Sequence, residues 1–102
     1  MEGRLSLDEL LKETLGDKVH VYFQPPTGYK INYPALIYKL DDLNDKYADD
    51  KVYKRRHVYY LLLILDEPDN DLVDRLDDLK HCTMSRPYTA DNLYHYPFTI
   101  YY

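Results

Sequence analysis

The chain has no tryptophan, a single cysteine, three glycines and no apolar run longer than eight residues, and each shortage closes off a class of function. Cys82 has no second cysteine to pair with, so a disulfide-stapled secreted scaffold is excluded. With so little glycine, and neither G-x-x-x-x-G-K nor G-x-G-x-x-G present, there is no phosphate cradle. The apolar run falls far short of the about 20 residues with which a helix crosses a bilayer. No signal peptide is legible ahead of Ser6. The expectation is a chain that folds in a reducing cytoplasm without a membrane partner. Basic residues are also in deficit, 13 Lys and Arg against 18 Asp and Glu, a formal net charge of −5. Non-specific nucleic-acid affinity comes from neutralising phosphates with a basic face, so no specific nucleic-acid partner is expected.

What the chain does have is tyrosine, thirteen of them beside two phenylalanines. A tyrosine buries a large ring only where its hydroxyl reaches water or a partner. The residue type therefore suits subunit interfaces and the decorated faces of a sheet alike. At 102 residues the chain is one domain, 1–102, with one core. The apolar run Val58, Tyr59, Tyr60, Leu61, Leu62, Leu63, Ile64, Leu65 reads as its central strand, since it opens on β-branched and aromatic residues. Large apolar side chains stand at positions of both parities, which predicts that both faces of this strand are covered, by a helix on each side or, where both helices pack on the same side, by another subunit.

In chain order, Ser6-Leu7-Asp8-Glu9 matches the capping box S-x-x-E and predicts a helix starting there. Leu7, Leu10, Leu11, Thr14 and Leu15 give it one apolar face, and Gly16 stands where a left-handed C-terminal cap belongs. Val19 to Phe23 reads as a strand ended by Pro25 and Pro26, which remove two backbone donors. A second strand, Ala35 to Lys39, follows Pro34. From Asp41 the periodicity stops, and a long acidic loop is expected at about 41–52. After Leu65, Pro68 and neighbouring acids suit the first turn of a second helix, whose apolar face is Leu72, Val73, Leu76 and Leu79. Cys82 to Met84 reads as a short strand and residues 85–92 as a connection. Tyr94, Tyr96, Phe98, Ile100 and Tyr102 alternate with His95, Pro97, Thr99 and Tyr101 in a last strand, which the proline assigns to an edge. The predicted fold is α+β, a mostly antiparallel sheet of four to five strands with two flanking helices in the order α-β-β-β-α-β-β.

Candidate chemistry is sparse. Pro68-Asp69 with Asp78-Leu79-Lys80 supplies the letters of a metal-dependent nuclease pattern, but that site needs its second acid and lysine on a strand. Here the leucine spacing puts them on one helix, and at about 1.5 Å rise per residue its two acids stand more than roughly 10 Å apart. Asp66, Asp69, Asn70 and Asp71 lack the glycine and glutamate of a calcium loop. His20, His57, His81 and His95 have no spacing suited to zinc. Ser6, Ser85 and Cys82 have no nucleophile context. No catalytic, cofactor-binding or metal residue is assigned.

Several stretches taken together carry a resemblance: the opening helix ending at Leu15-Gly16; Val21-Tyr22-Phe23-Gln24-Pro25-Pro26; Tyr33-Pro34-Ala35-Leu36-Ile37-Tyr38; and Tyr47-Ala48-Asp49 ahead of Tyr53. It continues through the central strand to Asp66 and Pro68, Leu79 with Cys82, Arg86 with Tyr88, and Asn92-Leu93-Tyr94-His95 through Phe98 to Tyr102. Over most of its length the chain resembles the minor structural proteins of long-tailed bacteriophages encoded between the head genes and the tail-tube gene, tail terminators in particular. The resemblance implies a non-enzymatic structural protein of the virion's tail or neck, assembled in the bacterial cytoplasm, without a cofactor. It would close the growing tail tube, commonly as a hexameric ring, with the tube protein on one side and a head connector protein on the other. The same resemblance admits a head completion or connector protein. A small host-directed phage protein that binds an enzyme is a further alternative. A ring needs a head-to-tail interface that closes. The charges place one side of it on Asp41, Asp42, Asp45, Asp49 and Asp50, and the other on Lys54, Arg55 and Arg56. Asp41, Asp42 and Asp45 are the candidates for a DNA-repelling lumen.

Overall fold

The computed structural model of the protein describes residues 2–40, 57–68 and 70–102. In order these form α1 (Glu2–Leu15), β1 (His20–Phe23), β2 (Ala35–Leu40), β3 (Val58–Leu65), α2 (Asn70–Asp77), β4 (Cys82–Met84), β5 (Tyr88–Ala90) and β6 (Leu93–Tyr101). The strands make one mixed sheet in the order β1-β2-β3-β6-β4, with β5 also paired to β6. Only β1 and β2 run parallel, and every other pairing is antiparallel. The α+β class follows the sequence reading, with one strand more than the predicted four to five. The extra strand, β5, folds back on β6 through a two-residue turn at Asp91 and Asn92, both at positive φ (53° and 62°). Short polar side chains tolerate that conformation, and two such residues in succession match the twist of a tight hairpin.

Helix α1 starts four residues before the capping box. Ser6 therefore lies inside the helix and caps nothing; its hydroxyl instead hydrogen-bonds the hydroxyl of Tyr102. The end of the helix is as predicted: Gly16, at φ +86°, donates its N–H to the Lys12 carbonyl at 2.9 Å, a left-handed cap that costs a residue without a Cβ nothing. Leu7, Leu11 and Leu15 are buried along its inner side. Helix α2 buries Val73 and Leu76, and Arg75 bridges Asp71 at 3.0 Å while donating to the Thr14 carbonyl of α1 at 3.4 Å. Because β6 is antiparallel to both β3 and β4, those two strands run parallel with β6 between them. Such a pair needs a crossover over one face of the sheet, which α2 supplies.

The core lies between the helices and one side of the sheet. Leu36 and Tyr38 of β2, Tyr59, Leu61, Leu63 and Leu65 of β3, and Phe98 and Ile100 of β6 all belong to it with the helix leucines. These strand residues share one face by register. Both helices therefore lie on the same side, so of the two arrangements the sequence admits, two-sided burial of β3 by a helix on each face is the one that fails. The crossover explains it: α2 has to span the face over which it connects β3 to β4, and α1 packs beside it. On the other face Val58 and Ile64 are buried, but Tyr60 is 45% exposed and Leu62 half-buried.

The last strand is not an edge strand. Strand β6 sits between β3 on one side and β4 and β5 on the other. Pro97 fits there because its carbonyl accepts from Ser85 N–H at 2.8 Å. The N–H and C=O of one residue point to the same side of an antiparallel strand, so the donor that Pro97 lacks faces the gap between β4 and β5. The bond forgone is only the reciprocal one to Ser85, just past the end of β4, and the β3–β6 ladder is untouched.

Candidate assembly surface

Successive strand residues point to opposite faces, so the register sorts the side chains opposite the helices into rows across the sheet. His20, Ala35, Ile64, His95 and Tyr88 make one row; Tyr22, Ile37, Leu62 and Pro97 the next; and Lys39, Tyr60, Thr99 and Thr83 a third. Val58 and Tyr101 close the series. The β1 end of this face is partly roofed by the segment joining β1 to β2. The Tyr29 ring meets Tyr22 edge to face at 5.8 Å, and Asn32 N–H donates to the Tyr22 hydroxyl at 3.1 Å. Across β2, β3 and β6 no described helix lies over it.

Several rings on this face are held in place. The Lys39 ammonium stands 5.6 Å from the centroid of the Tyr60 ring, within reach of a cation–π attraction. Tyr88 stacks on His95 at 4.7 Å with an interplanar angle of 10°. A concavity of about 480 Å³ opens where β1 stops and β2 continues, lined by Gln24, Pro25, Ile37, Lys39 and Leu40. Gln24 leaves the strand at φ 45°, and its side-chain oxygen accepts from Leu40 N–H at 3.1 Å, which fixes the wall.

The charge is segregated. Among the described residues no strand contains an aspartate or glutamate, and Lys39 is the one lysine or arginine in any of them. The acids lie on the helices and turns, as with Asp8, Asp71, Asp74 and Asp77. A Tyr-bearing surface depleted of charge at its centre has the composition of an interface core.

The interface residues drawn from the sequence, Asp41, Asp42, Asp45, Asp49, Asp50, Lys54, Arg55 and Arg56, lie outside the described residues, and so does Asp69 of the nuclease pattern. Asp78 and Lys80 are exposed in the turn after α2. The four histidines are dispersed: His20 on β1, His57 ahead of β3, His81 before β4 and His95 on β6. Among the described residues no group of His, Cys, Asp and Glu is placed to hold a metal ion. Nor is any described helix long and apolar enough to cross a membrane. Cys82 is half-buried beside the end of α2, where burial and then the Asp77 charge push its thiol up to about 11, the opposite of an activated nucleophile. Tyr60, Leu62 and Tyr101 gain their prominence from the side on which the helices pack, for which the strand pattern alone holds no signal.

No protein-family model matches the chain, and no curated protein matches it.

Proposed function

We propose that the protein is a non-catalytic structural subunit of a bacteriophage tail or neck, most specifically a tail terminator that caps the tail tube and meets the head connector. One observation supports an assembly role above all: both described helices occupy one side of the sheet, and on the other side the described strands carry no acid and present Tyr60, Tyr88 and Tyr101 at 45%, 50% and 42% exposure. Tyr60 and Tyr101 stand in neighbouring rows at one end of that face and Tyr88 lies on its β5 margin, and exposed rings on a surface without acids suit a contact with another protein. The placement in the particle rests on the resemblance. In that reading the segment 41–56 supplies the ring contacts. It contains five acids and five lysines or arginines, so copies can pair through it without a net charge of either sign.

Electron microscopy of particles assembled without this protein tests the proposal. Overlong tails lacking heads are the expected result. Filled heads beside normal-length, unattached tails would move the assignment to a connector, and normal particles would remove a structural role altogether.

A further inference from the structure

We draw no further inference here: the strongest candidate, the sheet face opposite the helices with Tyr60 and Tyr101 exposed at one end, borders residues 41–56 outside the described residues, and nothing in the structure shows what covers it.

Discussion

Among the described residues Tyr38 is the largest side chain fully removed from solvent, and its surroundings explain how a tyrosine serves as core. Its ring packs against Phe23 and Tyr59, with centroids at 4.9 and 6.1 Å. Its hydroxyl escapes the apolar interior by donating to Asp8 Oδ1 at 2.7 Å, and the other carboxylate oxygen of Asp8 pairs with Lys12 Nζ at 2.9 Å. A buried hydroxyl without that partner would carry its full desolvation cost. Replacing Tyr38 with Phe keeps the ring and deletes one hydrogen bond to a charged group, so the expected loss is about 1.5 kcal/mol in urea unfolding at neutral pH. An unchanged midpoint and slope would mean that the bond contributes nothing. Cys82 makes a pH prediction of the opposite character. Its thiol is raised to about 11 by burial and by Asp77, from 9.0. The unfolded chain therefore loses that proton first. The thiol's contribution to stability is fully present below about pH 9 and is lost as the pH climbs toward about 11. Thermal melts across that window should fall more steeply for the wild type than for Cys82→Ser.

At the scale of elements, the sheet has an inside and two margins. Strands β3 and β6 each have neighbours on both sides, whereas β1 pairs only with β2, and β4 and β5 pair only with β6. Local opening frees margins before centres. Amide exchange should therefore be slowest in β3 and β6 and faster in β1 and β5, measured by native-state hydrogen exchange with Pro97 contributing no amide. Rapid exchange along β6 would contradict its central position. How much of this was readable in the chain depends on the element. Strand β3 is bounded as predicted, because His57 and Asp66 bracket an unbroken apolar run. The end of α1 was legible because only a few residues tolerate the φ of Gly16. Its beginning was misplaced because S-x-x-E marks a helix start only when the preceding residues are not already helical. Strand β5 has three residues, too few for alternation to register, although the Asp91-Asn92 pair held the hairpin signal. Pro97 misled by analogy with edge strands, since whether a missing N–H costs anything depends on which neighbour it faces.

Taken together, the described residues form a two-layer body with a chemical difference between its layers. Strand parity, read from the sequence, already grouped His95, Pro97, Thr99 and Tyr101 together, and it split the residues of β3 in the same way. It did not say which group the helices would cover. That choice is made by the β3–α2–β4 crossover, a long-range pairing invisible to local pattern, and the candidate surface follows from it. The charged residues assigned to an interface from the sequence belong to 41–56, outside the described residues. The two surfaces therefore rest on different grounds, one on charge pattern and one on geometry.

The separation of acids from strands also gives the molecule a direction in solution. Among the described residues the helical layer carries Asp8, Asp71, Asp74 and Asp77 while Lys39 stands on the sheet, so this charge is uneven across the thickness. Two such bodies approaching one another are turned so that the acidic helical layer of one meets the Lys39-bearing sheet layer of the other. At a salt concentration where the Debye length is about 8 Å, this torque acts only in the last stage of approach. Adding salt should therefore remove orientation from the encounter.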